Sequence, residues 1–128
     1  MNNPFHVLLT EDNVDLQNIY QTKLLAEGYS VATASDGKEA FDRIRERIPD
    51  IILLDIVMPR MDGLEFLKIA RKDTDLAKIP IIVMTNLGQD EDRQQCEKLG
   101  AKRFLVKTET SIDDLASIVR EVLGEKNI

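Results

Sequence analysis

The chain predicts a doubly wound α/β domain: a five-stranded parallel sheet with helices packed on both faces. Three observations carry that prediction. Val7-Leu8-Leu9, Ile51-Ile52-Leu53-Leu54, Ile81-Ile82-Val83-Met84 and Phe104-Leu105-Val106 are short runs without polar alternation, the pattern of strands buried on both faces. Segments with apolar residues at helical spacing separate them, so strand-like and helix-like stretches alternate throughout. Each run also ends on polar residues: Thr10-Glu11-Asp12, Asp55, Thr85 and Lys107. In open parallel sheets ligands bind beyond the carboxyl ends of the strands, so these residues are candidates for one site.

Taken in order, the first strand is Phe5 to Leu9. A helix follows from about Asn13 to Glu27, with Val14, Leu16, Ile19, Tyr20, Leu24 and Leu25 apolar near helical spacing and Gly28 as its stop. Tyr29 to Ala34 is a second, weaker strand. Asp36-Gly37-Lys38-Glu39 resembles a capping box and opens a helix through about Arg47 that buries Ala40, Phe41 and Ile44. Pro49-Asp50 breaks the chain before the third strand. A loop from Pro59 to Gly63 leads to a third helix, about Leu64 to Lys72. Pro80 introduces the fourth strand. Gln89 to Leu99 makes a fourth helix with an acidic start, ended by Gly100, and the fifth strand is about Arg103 to Val106. Ser111 caps a last helix carrying Ile112, Leu115, Ile118, Val119 and Leu123.

Five such units in series with right-handed crossovers put helices on both faces. The strand order 2-1-3-4-5 would set strands 1 and 3 together at the switch point with 4 and 5 alongside. Strand 2, whose end (Ala34-Ser35) offers no charged chemistry, would then lie at an edge.

A length of 128 residues suits a single domain, 1–128, with its core at about 5–123. A content of 43% hydrophobic and 31% charged residues supports an ordinary core beneath a solvated surface. The net charge of -6 argues against direct nucleic-acid binding, which needs a basic face. No apolar stretch approaches the roughly 20 residues of a membrane span. Met1-Asn2-Asn3-Pro4 has no signal-like features, and the single cysteine, Cys96, excludes an intrachain disulfide. Cytoplasmic residence is the expectation. Cys96 reads as a small side chain on the fourth helix, and His6 as a first-strand residue with no partner.

Glu11, Asp12 and Asp55 are hard oxygen ligands suited to Mg²⁺, which favours carboxylates, water and phosphate oxygens. A cation that offsets their mutual repulsion would free one carboxylate to attack a phosphoryl group. Asp55, at the end of the most apolar strand, is the best candidate. Phosphoryl transfer needs in-line positioning and charge neutralisation. Lys107 can neutralise one oxygen, and Thr85 can donate to another.

These motifs together make the chain resemble the receiver domains of bacterial response regulators, especially the single-domain, chemotaxis-type members. The match runs from Val7 to Leu123. It is carried by Glu11-Asp12, the segment Leu53-Leu54-Asp55-Ile56-Val57-Met58-Pro59-Arg60-Met61-Asp62-Gly63, Thr85, and Lys107 after Phe104-Leu105-Val106. The resemblance implies a flavodoxin-like (βα)5 sandwich working in two-component signalling. It implies that Asp55 accepts a phosphoryl group from a histidine kinase, and that Glu11, Asp12, Asp55 and the backbone carbonyl of Val57 bind Mg²⁺. Thr85 would move toward the phosphoryl group, Phe104 would turn inward with it, and Lys107 would pair with the phosphate. The face of the fourth helix, fifth strand and fifth helix would then change its affinity for a downstream protein. The chain would be a monomer or a weak, phosphorylation-linked homodimer, catalysing only its own phosphorylation and dephosphorylation.

The sequence departs from the family at four places. Thr108 follows Lys107 where receivers usually have a proline after a cis bond. A cis bond at a non-proline residue costs about 2.5–4 kcal/mol, so either this bond is trans or the fold holds it under strain. Asn86 is larger than the usual alanine or glycine and would narrow access to Asp55. Val57 and Leu87 are apolar where polar side chains are common, which leaves an attacking water little to orient it and predicts slow autodephosphorylation.

Two other classes fit less well. Haloacid-dehalogenase-like phosphatases also use an aspartyl-phosphate, but carry a second aspartate at the position held here by Val57. A phosphate-independent receiver-like binding module would have no chemical reason to hold Glu11, Asp12, Asp55, Thr85 and Lys107 together.

Overall fold

The apolar runs form five strands: β1 (His6–Thr10), β2 (Ser30–Ala34), β3 (Ile51–Asp55), β4 (Ile81–Thr85) and β5 (Arg103–Val106). Between and after them lie α1 (Val14–Ala26), α2 (Gly37–Glu46), α3 (Gly63–Lys72), α4 (Asp90–Lys98) and α5 (Ile112–Lys126). The computed structural model describes residues 5–86 and 90–126. The strands are parallel in the order β2-β1-β3-β4-β5, as the sequence predicts. Two short 3-10 turns, Leu76–Lys78 and Lys107–Glu109, have no counterpart in the sequence reading.

Side chains alternate across the sheet with the strand period of two. Leu8, Ile52, Leu54, Ile81, Val83 and Phe104 face one way into a core that includes Phe66, Leu67 and Cys96. Val7, Leu9, Ile51, Leu53, Ile82 and Met84 face the other way, against Leu24 of α1 and Leu115, Val119 and Leu123 of α5. Every residue of β1, β3 and β4 is buried, which is why those three strands read so clearly as unbroken apolar runs. Edge strand β2 is only half-buried for most of its length, and it read weakly.

Short polar side chains set the helix starts. Asn13, Asp36 and Asp62 accept from the backbone N–H groups of Leu16, Glu39 and Glu65, and Ser111 Oγ accepts from Asp114 N. Gly28, at φ 94°, follows the end of α1.

One expectation fails, and α1 buries little of its apolar content. Val14, Ile19 and Leu25 of α1 are more than half exposed, and only Tyr20 and Leu24 of that helix are buried. Six apolar residues in this stretch are too many for one buried stripe. His6 is not without partners. Its backbone N–H donates to the Asp50 carboxylate at 2.7 Å, and its Nδ1 lies 2.9 Å from Ser30 Oγ.

Candidate functional site: an acidic crevice at the carboxyl ends of the strands

Backbone pairing continues past the end of β1 and fixes the first acid. Thr10 Oγ1 donates to Leu53 O at 2.8 Å, tying β1 to β3. Glu11 N donates to Ala34 O at 2.9 Å, so the strand direction carries through to Glu11. The Glu11 side chain is therefore held inside, 1% exposed, and Gln17 Nε2 donates to its backbone carbonyl at 2.8 Å. Asp12, next in the chain, is exposed, and Asn13 takes the cap of α1. The two acidic neighbours are thus divided between a buried wall and an open rim.

Asp55 closes β3 at the centre of the sheet. Its Oδ1 accepts from Val57 N at 3.1 Å, and its Oδ2 accepts from Lys107 Nζ at 2.9 Å. The same ammonium donates to Glu11 Oε1 at 2.5 Å, while Glu11 Oε2 accepts from Asn13 N at 3.1 Å. Behind Asp55 the chain folds back so closely that a Cβ on Gly63 would lie 2.3 Å from Asp55 O, which restricts that position to glycine.

One carboxylate oxygen each from Glu11, Asp12 and Asp55 lies within 4.8 Å of the others. They line a cavity of about 360 Å³ together with Asn13, Leu16, Val57, Thr85, Asn86 and Lys107. Thr85 is fully buried, Asn86 is exposed at the rim, and Val57 is 56% exposed. Phe104 is buried, with the Arg93 guanidinium 4.9 Å from its ring centroid. Leu87 and Gln89 lie outside the described residues.

No described peptide bond is cis, so Lys107–Thr108 is trans. The 3-10 turn takes over at that point, and Thr110 Oγ1 donates to Val106 O at 2.9 Å to close it. Lys107 reaches both acids without the family's usual proline.

Burial raises the Asp55 carboxyl to about 6; Glu11 adds to the rise and the Lys107 ammonium opposes it. Burial alone would lower Lys107, but its hydrogen bonds to Glu11 and Asp55 outweigh that and hold it above the usual lysine range. Two buried carboxylates thus share one ammonium, with the third, Asp12, at the rim. The donor set, three hard oxygens in one pocket, fits a divalent cation of the Mg²⁺ type.

A larger cavity of about 590 Å³ lies between α2 and α3, lined by Phe41, Ile44, Ile48, Met61, Ile69 and Leu76. Two of its charged lining residues are occupied: Arg45 pairs with Asp42, and Asp73 accepts from the N–H groups of Asp75 and Leu76. It gathers no reactive set, so the smaller crevice is the functional site.

Glu11, Asp12, Asp55, Val57, Thr85, Asn86 and Lys107, all singled out from the sequence, line this crevice, while Phe104 is buried in the core on the side of α2, α3 and α4. Sequence reasoning missed Gln17, a polar residue on a helix with nothing in its spacing to mark it. It also missed the buried Asp36, which reads simply as a helix cap.

The chain matches the family profile for the response regulator receiver domain over residues 7–120. A probable transcriptional regulator, ycf27, of Guillardia theta is 40% identical over 121 residues, covering 94% of this chain and 46% of that protein. The chain therefore spans about half the length of the curated relatives it matches. Among solved structures, the CheY-like receiver domain protein of Methanospirillum hungatei superposes with a TM-score of 0.90 at 25% identity, over 98% of both chains. The phosphorylated cyanobacterial phytochrome response regulator RcpA gives a TM-score of 0.79 at 27% identity, over 94% of this chain and 91% of that one. With its 2-1-3-4-5 sheet and this crevice at the strand ends, the chain belongs to the response regulator receiver family of two-component signalling.

Proposed function

We propose that the chain is a phosphorylation-dependent switch in which Asp55 takes a phosphoryl group from a histidine kinase. The observation that carries this reading is the buried Lys107 ammonium bridging Asp55 and Glu11, with Asp12 and Thr85 on the same cavity. An Asp55 carboxylate oxygen would bond to phosphorus as the phosphorus–nitrogen bond of the phosphohistidine breaks, its electron pair returning to the imidazole. Glu11, Asp12, Asp55 and the Val57 carbonyl would hold Mg²⁺, which supplies charge neutralisation for the incoming phosphoryl oxygens. Lys107 pairs with one of those oxygens and Thr85 donates to another. The solved phosphorylated form of RcpA supports the same chemistry here.

The added charge of about -1.5 to -2 then biases the face formed by α4, β5 and α5 toward a downstream protein. A coupling of about 1–3 kcal/mol corresponds to a change in partner affinity of roughly ten- to a hundredfold. On this reading the chain is no enzyme toward external substrates. Intact mass after incubation with acetyl phosphate and Mg²⁺ tests it. One phosphoryl group is expected, absent with Asp55→Asn and absent without divalent metal. No gain from acetyl phosphate or from a competent histidine kinase would overturn the reading in favour of a phosphate-independent binding module.

A further inference from the structure

Resting on that reading, we infer that Asp36 and Arg60 are positioning residues: their ion pair holds the loop between β3 and α3 and so fixes the backbone at Val57 beside the divalent-cation site. Arg60 sits in the left-handed region at φ 61°, the one described non-glycine residue with positive φ. A long side chain adopts that conformation rarely and keeps it only where its surroundings over-determine it. Here they do. Arg60 Nε donates to Asp36 Oδ2 at 2.6 Å, and Nη2 reaches the same oxygen.

Asp36 belongs to the start of α2, 24 residues away in sequence, and its side chain is 3% exposed. Its other oxygen caps α2, accepting from Glu39 N at 2.9 Å. Capping needs one acceptor, which asparagine or serine supplies equally well. The second, buried, charged oxygen is surplus to the cap and is spent on Arg60.

A parallel tie lies beside it, where Gly37 N donates to Met61 O at 2.8 Å. The loop's ends are fastened by Val57 N to Asp55 Oδ1 at 3.1 Å and by Gly63 N to Ile56 O, one residue past β3, at 2.9 Å. The loop is therefore held at its ends beside Asp55 and in the middle by α2. Removing the middle tie leaves the acids in place and loosens the stretch containing the Val57 carbonyl.

The test uses the full chain with Asp36→Asn, which keeps the cap and removes the charge, and Arg60→Asn, which tolerates positive φ and removes the guanidinium. Mn²⁺ affinity is read from the electron paramagnetic resonance signal of the free ion, beside thermal unfolding and the Mg²⁺ concentration for half-maximal phosphorylation by acetyl phosphate. Each variant is expected to bind Mn²⁺ about tenfold more weakly, as supporting partners of a metal site typically do when lost. The double variant should be no weaker than either single one. The half-maximal Mg²⁺ concentration should rise in step while the rate at saturating Mg²⁺ stays near wild type.

Unchanged Mn²⁺ affinity in both single variants overturns the inference, whatever happens to the unfolding temperature. Additive losses overturn it too, because the residues would then not act as a pair. If Asp36→Asn fails to fold, Arg60→Asn decides alone, its side chain being largely exposed. Mn²⁺ binding is read without phosphate, so a wild-type protein that takes no phosphoryl group would sink the proposed function and leave this result standing on its own.

Discussion

The two ends of the sheet both bury ionisable groups, yet they treat charge in opposite ways. At the amino ends, His6 and Asp50 exchange backbone and side-chain hydrogen bonds, Ser30 Oγ meets His6 Nδ1, and Arg47 Nη1 donates to Ser30 Oγ at 3.1 Å. One carboxylate and one guanidinium there, Asp50 and Arg47, act on the His6 imidazole with opposite sign. At the carboxyl ends, three carboxylates gather in one crevice, and a single ammonium bonds two of them. The balanced end closes the fold. The unbalanced end holds negative charge that a metal ion and a phosphoryl group can use, and that surplus, more than burial itself, separates a site from a structural cluster.

The sharpest way to break the contrast is to remove the cation bonded to Glu11 and Asp55. Lys107→Met should slow phosphorylation by acetyl phosphate by about a hundredfold or more, the usual loss when one preorganised charge partner is deleted. Intact mass against time reads this. A rate within tenfold of wild type would mean that Lys107 only relieves repulsion in the resting protein.

Acid should act on the two ends with opposite sign. The folded Asp55 carboxyl lies near 6, above its ordinary 3.8, so the native state binds the extra proton between those values and metal-free stability falls as pH rises through that window. A shift of about two units corresponds to ~3 kcal/mol, present in full above pH 6 and gone below about pH 4. Burial and the nearby Arg47 hold the His6 imidazole below its ordinary 6.5, so its contribution is complete above that pH and is lost as pH falls below it. Chemical denaturation from pH 4 to 8 without metal should show Asp55→Asn removing the loss on the alkaline side and His6→Gln removing the loss on the acid side. Parallel curves for the three proteins would mean that the ends do not differ in this way.

A third test sits at the balanced end alone. Asp50→Ala leaves the buried His6 N–H without its carboxylate and should cost about 1–3 kcal/mol, read as a lower unfolding midpoint. Phosphorylation at Asp55 should stay within twofold of wild type, since nothing at that end touches the crevice. The smallest effect concerns Val57, apolar and half-exposed on the cavity. The phosphorylated protein should have a half-life longer than about a minute in Mg²⁺ buffer, and Val57→Asn, which can orient a water, should shorten it several-fold. A wild-type half-life of seconds would show that the surplus charge alone does not govern the lifetime.

Much of this was legible in the sequence because the physics was local. Strands β1, β3 and β4 are buried on both faces, so their composition alone declared them, and Asp55, Thr85 and Lys107 were found by position at strand ends. The partners that complete the site were not legible. Gln17 meets Glu11 through a backbone carbonyl, Arg60 meets Asp36 across a loop, and the turn after Lys107 replaces a proline with hydrogen bonding, none of which leaves a periodic trace. Which apolar residues of α1 are buried was not legible either, because hydrophobicity reports what a residue favours, while a helix has only one face to bury.

The bond from Lys107 to Glu11 spans 96 residues and joins the segment just after outermost β5 to the segment just after interior β1. The acids belong to the first and third strands and their counter-charge comes directly after the last. A growing or partly folded chain can therefore assemble the repulsion well before it can assemble the relief, because so distant a closure comes late. In folding, the reactive carboxylate gains its cation only when β5 is in place. In unfolding, an edge strand is the natural first loss, and it would take the site's chemistry with it while most of the sheet still stood.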